Sequence, residues 1–162
     1  MSLKQDLETA KVEAMKEKIS HRGDDELVSK ADLRLSTVRS LIGAIGEDET
    51  AGKTRRELTE EEILSRLKKE ANKRRDSAKL YAEVGETERS VKEATEAEIV
   101  ESFLPQETSF EEVAAFVEKV VAEKSLAGQG GKAIGVVMGE LKKKFSNFDS
   151  KAASAFIREK VA

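Results

Sequence analysis

Apolar residues recur along the chain at three- and four-residue intervals rather than in alternation, which is the mark of amphipathic helices. Leu3, Leu7, Ala10 and Ala14 fall on one helical stripe, with Met15 and Ile19 at its margin. Ser2, followed three residues later by Gln5, supplies a capping box at its start. The polar run His21-Arg22-Gly23-Asp24-Asp25 breaks the pattern and predicts a loop over 20–30. Val38, Leu41, Ile42 and Ile45 then mark a second helix, with Gly46 as its C-terminal cap and 46–58 as an exposed connector. Thr59-Glu60-Glu61-Glu62 is the clearest helix start: Thr59 can cap a backbone N–H, Glu62 can reach back, and three carboxylates suit the positive end of the dipole. Leu64, Leu67, Ala71, Ala78 and Tyr81 carry the buried stripe of this third helix, which ends near Gly85. A fourth follows, with Val91, Ala94, Ala97, Val100 and Leu104 facing inward.

Pro105 stops that helix, because the residue before a proline avoids helical geometry. It is the only proline and stands at a composition shift, which places a domain boundary between 1–104 and 105–162. Beyond it, Ser109-Phe110-Glu111-Glu112 is another capping signature, and Val113, Phe116, Val117, Val120 and Val121 form one apolar face. Gly128-Gln129-Gly130-Gly131 reads as a turn. Ile134, Val137, Met138, Leu141 and Phe145 mark the sixth helix. Asp149 can cap a seventh, whose inner face is Ala153, Phe156, Ile157 and Val161. The expected fold is all-α: an N-terminal four-helix bundle followed by a C-terminal three-helix bundle.

Composition agrees, since aromatics reach only 4% while Ala, Glu, Lys and Leu, all good helix formers, dominate. The absence of cysteine excludes disulfides, thiolate nucleophiles and cysteine metal sites, and a single histidine excludes any site that needs two imidazoles. The first residues lack the apolar core of a signal peptide, and no stretch approaches the ~20 apolar residues of a membrane span. A cytoplasmic location with no membrane contact is the expectation.

Charge changes the picture more than composition does. The net charge of −3 conceals segments of −3 (1–52), +4 (53–79), −9 (83–123) and +5 (124–162). Local patches decide the nearby field, because salt screens charge beyond ~10 Å at 0.1 M. Lys68, Lys69, Lys73, Arg74, Arg75 and Lys79 occupy the third helix, and Lys142-Lys143-Lys144 ends the sixth. By composition alone a solvated face explains such runs better than a nucleic-acid contact does, and no aromatic ladder for stacking single-stranded bases accompanies them. His21 reads as an ordinary surface histidine, and none of the acidic runs has the spacing of a calcium loop. Gly128, Gly130 and Gly131 precede a helix, yet the segment lacks the Gly-Lys-Ser/Thr ending of a phosphate-binding loop. Lys132 beside Gly131 suits a looser contact with a backbone phosphate. Gly135 and Gly139, four apart on the sixth helix, serve either close helix packing or the approach of an RNA backbone or a partner. No catalytic residue, metal site or cofactor is expected.

The segment Lys68-Lys69-Glu70-Ala71-Asn72-Lys73-Arg74-Arg75-Asp76-Ser77-Ala78 carries a resemblance. With the Gly85 turn, the acidic helix ending Phe103-Leu104-Pro105, and Ile134-Gly135-Val136-Val137-Met138-Gly139, it resembles the GatB/YqeY family. These proteins are similar to the C-terminal tail of the B subunit of the tRNA-dependent amidotransferase. Ala14-Met15-Lys16 and Arg34-Leu35-Ser36-Thr37-Val38-Arg39 extend the resemblance over nearly the whole chain. It implies the same two-bundle fold and a link to carbon–nitrogen ligase chemistry, the transamidation of misacylated Glu-tRNA or Asp-tRNA with glutamine as amido-nitrogen donor. Shared fold alone transfers no activity, and this chain has neither a thiol nor a serine–lysine amidase arrangement. The expected function is therefore an accessory tRNA-binding module. Lys73, Arg74, Arg75, Lys132, Lys142, Lys143 and Lys144 are expected to contact phosphates without reading sequence. The expected partners are tRNA or another structured RNA, together with amidotransferase subunits. The alternative is a non-catalytic protein–protein adaptor that uses the acidic segment 83–123.

Overall fold

The computed structural model of the chain describes residues 2–162. Helices account for all of its regular secondary structure among those residues, in the order α1 (Leu3–Ser20), α2 (Asp25–Thr50), α3 (Glu60–Glu83), α4 (Thr87–Glu101), α5 (Phe110–Glu123), α6 (Gly131–Lys144) and α7 (Ser150–Val161). The all-α expectation holds. The chain forms two compact units, Met1–Leu104 and Pro105–Ala162.

Local chemistry sets most helix starts. Ser2 Oγ accepts the Gln5 N–H while Gln5 Oε1 accepts the Ser2 N–H, and Thr59 and Glu62 repeat the arrangement at α3. Ser109 Oγ accepts the Glu112 N–H at α5, and Asp149 Oδ1 accepts both the Lys151 and Ala152 N–H groups at α7. The loop expected over 20–30 is far shorter. Asp24 Oδ1 accepts the Leu27 N–H, and Asp25 and Glu26 favour the positive end of the dipole, so α2 starts at Asp25. Gly46 does not end α2 either; the helix runs through it to Thr50, whose Oγ1 donates to the Gly46 carbonyl at 2.9 Å.

Continuing α2 past Gly46 brings Glu49 inside. Only 2% exposed, Glu49 accepts the Lys4 Nζ at 2.7 Å and the Leu58 N–H at 3.4 Å. The hydrogen bond from Lys4 holds its carboxyl below the usual range, against the opposing push of burial. The Glu49 carbonyl accepts the Arg56 N–H at 3.1 Å, so one residue ties α1, α2 and the connector together.

In the first unit, α1 pairs with α2 and α3 with α4 as two helical hairpins. They meet through Leu7, Ala10, Val38, Leu41, Ile45, Ile63, Leu67, Ala71 and Val100. Two inward assignments change: Ile63 takes the deep position beside half-buried Leu64, and Val91 is 60% exposed. In the second unit, Val113, Val117 and Val120 of α5, Val137 and Leu141 of α6, and Ile157 and Val161 of α7 share one buried core with Phe148. Buried Asn147 pins the entry segment of that unit: its Nδ2 donates to the Pro105 carbonyl at 2.6 Å, and its backbone carbonyl accepts the Thr108 N–H at 2.8 Å.

Asn147→Ala leaves the Pro105 carbonyl without its donor and is expected to lower stability by about 1–3 kcal/mol, read from chemical denaturation. Glu62 accepts two bonds from the Arg56 guanidinium at 2.8 and 2.7 Å and one from the Thr59 N–H at 2.9 Å. The guanidinium is the main reason its pKa falls from an ordinary 4.5 to about 2. Because the folded value is the lower one, the stability this supplies is complete above pH 4.5 and is lost as pH falls toward 2. Acid unfolding of Glu62→Gln should therefore show a flatter pH dependence in that window than the parent.

Candidate nucleic-acid interface

The basic residues of α3 divide by type. Its arginines turn toward carboxylates: Arg74, with a side chain 11% exposed, donates to Glu70 at 2.7 Å and to Glu96 of α4 at 3.2 Å. Arg75 makes a two-pronged pair with Glu101 of α4, at 2.9 and 2.7 Å, and this pair raises its already high pKa. Arg66 lies 3.5 Å from Asp48 and 3.6 Å from Glu70. The planar guanidinium suits such two-pronged pairing, and removing one partner of a desolvated pair strands a charge. Arg74 and Arg75, expected to contact phosphates, are instead engaged in joining α3 to α4.

The lysines behave differently. Lys69 and Lys73 are exposed and form no ion pair among the described residues. They share a shallow depression along α3 with Asn72, Asp76, Ser77 and Leu80. Lys73 is thus outward-facing as expected, while Lys69, Asn72 and Ser77 join it at helical spacing opposite the buried Leu67, Ala71 and Ala78. That spacing was available in the sequence; the direction of the arginines was not.

The second unit carries a different arrangement on α6. Ala133, Val137 and Leu141 form its buried stripe, which leaves Gly131, Gly135 and Gly139 on the opposite side. A Cβ built on any of these three would meet nothing within 4 Å. Close helix packing therefore does not explain Gly135 and Gly139. Val136, 42% exposed, lies at the margin between the two sides. Lys132 stands at the start of this surface and Lys142 at its end, with Lys143 at its margin and Lys144 closing the helix on the other side; Lys132 and Lys143 are roughly 16 Å apart along the axis at ~1.5 Å per residue. Lys132, Lys142 and Lys144 make no ion pair among the described residues, and Lys143 lies 3.5 Å from Glu140. Glu140 also accepts Lys124 at 3.3 Å, and that bond leads the causes of its lowered pKa. The dipole favours cations at this helix end, so three lysines there carry little internal strain.

The remaining sequence candidates have structural roles or none. His21 closes α1, its N–H directed at the Glu17 and Ile19 carbonyls. Asp24 caps α2, Glu49 is the buried anchor, and Glu62 belongs to the capping box. Gly130 has a φ of +60°, a region that suits glycine, and its N–H is taken by the Val161 carbonyl at 3.0 Å. Among the described residues no three His, Asp or Glu side chains converge as a metal site, and no helix is long and apolar enough to cross a membrane.

A family profile described as Yqey-like protein matches residues 5–161. The chain belongs to the YqeY-like family. No curated protein matches it significantly.

An interior glycine costs about 1 kcal/mol relative to alanine in a helix, and here open space awaits the methyl group. Gly135→Ala and Gly139→Ala are each expected to stabilise the protein by about that amount. Thermal and urea unfolding check this, and a loss of stability would place an unseen packing constraint at the glycine.

Proposed function

We propose that this YqeY-like protein is an accessory module that holds structured RNA, tRNA foremost, for glutamine-dependent amidotransferase chemistry carried out by other proteins. One observation carries the reading: α6 keeps three outward glycines that packing does not require, with the unpaired Lys132 and Lys142 on the same side. Glycine permits the closest approach of another backbone, and neighbouring unpaired ammonium groups attract phosphates. Without aromatic side chains on that surface, a folded duplex or loop corner suits it better than splayed single-stranded bases. Lys69 and Lys73, on the first unit, are further phosphate contacts within this reading. The link to transamidation rests on family membership and on the resemblance to the amidotransferase B-subunit tail. The chain's own contribution is positioning, since it supplies no thiol nucleophile and a single imidazole.

Binding of a labelled tRNA transcript should weaken with salt by about 0.7–0.9 log units per decade for each lysine–phosphate contact, hence a slope near −3 for four contacts. Replacing Lys132, Lys142, Lys143 and Lys144 by Glu should remove binding while leaving the circular dichroism unchanged. Salt-insensitive binding, or none at low salt, overturns the proposal. Amide formation on misacylated tRNA by the purified chain alone, with glutamine and ATP, would overturn its accessory character.

A second reading, the adaptor, draws on exposed Leu80, Val84 and Val91 around the α3–α4 turn among Glu83, Glu86 and Glu88. A defined protein complex that survives nuclease favours it over RNA binding.

A further inference from the structure

α1 is apolar on two opposite sides. Leu7, Ala10 and Ala14 are buried, whereas Val12, Met15 and Ile19 point outward, 45%, 41% and 63% exposed. Their spacing of three and then four residues is that of alternating core positions in a coiled-coil seam. The positions flanking such a seam are held by Lys11, Lys16 and Lys18, and Arg22 follows past its end. Lys11 pairs with Glu8 and Lys18 with Asp32, yet these exposed pairs are worth little and exchange partners readily. Lys16 and Arg22 have no ion pair among the described residues.

We infer that this outward seam of α1 docks an acidic amphipathic helix of a partner protein, with apolar residues against Val12, Met15 and Ile19 and glutamates against the lysines. Charge selects this occupant. A second copy of the chain is disfavoured in either direction, because antiparallel pairing sets Lys11 against Lys18 of the mate and parallel pairing sets it against Lys16. A bilayer surface calls for a broader apolar face than this single row. The inference is independent of RNA binding, since the lysines invoked there lie on α3 and α6 and none on α1.

The probe is a fluorescein-labelled helical peptide of about three heptads with Leu at the core positions and Glu at the flanks, titrated into the full chain. Saturable binding is expected, weakened about tenfold or more by Met15→Ser with Ile19→Ser, because both apolar contacts are lost. Lys16→Glu with Lys18→Glu should weaken it as well, and tRNA binding should stay at the parental level in both variants. Circular dichroism verifies that the variants keep their helices, which the exposure of all four side chains favours. Absence of saturable binding, equal binding of a shuffled peptide, or equal binding by the variants overturns the inference. So does self-association lost in Met15→Ser, which assigns the seam to a second copy, or binding to phosphatidylserine vesicles without binding to the peptide.

Discussion

The placement of Arg74 between Glu70 and Glu96 decides which charges this protein presents to its surroundings. With a side chain almost entirely removed from water, a guanidinium there needs both carboxylates, and α4 must lie where it can supply one. Arg75 and Glu101 repeat the constraint, and Ser90 adds a bond to the Ala78 carbonyl at 2.8 Å. Part of the −9 segment is therefore counter-charge to the +4 segment inside the same four-helix unit. What remains outward on α3 is lysine, a hydrated point charge that pairs loosely and exchanges freely.

The three-helix unit has a different balance. Its +5 segment has few acids of its own, and Glu140 is shared between Lys124 and Lys143. Lys132 and Lys142 make no ion pair among the described residues and stand beside a helix surface stripped of side chains at three positions. The glycines depart from what helix formation favours, whereas the lysines at the helix end are favoured by the dipole. Under the proposed reading a polyanion lying along α6 would meet both the open glycine surface and the free lysines.

Much of this was legible because helix signals are local. Capping at Ser2, Thr59, Ser109 and Asp149 involves groups two or three residues apart, so their types alone define the geometry. The buried stripes of α1, α5 and α7 were likewise plain from spacing. Gly46 misled because a glycine can end a helix or merely sit in one, and the choice was made by the burial of Glu49 three residues later. The extent of the 20–30 loop misled because Asp24 and Asp25 suit a polar loop and a helix start equally. Val91 lies at helical spacing from Val100-side neighbours, yet the end of the hairpin at which it sits has no second layer to cover it.

By itself the order of residues determined seven amphipathic helices and most of their starts, since periodicity and capping act over a single turn. It also set the chemical limits: no thiol, one imidazole, and clustered cations. The tertiary structure decided which cations are free. An arginine and a lysine on the same turn of α3 are indistinguishable as charges in a sequence. Only the arrival of α4 with Glu96 and Glu101 commits Arg74 and Arg75 while leaving Lys69 and Lys73 to solvent. The same holds for the glycines of α6, whose meaning depends on what lies beyond their missing side chains, and that is a property of three-dimensional space alone.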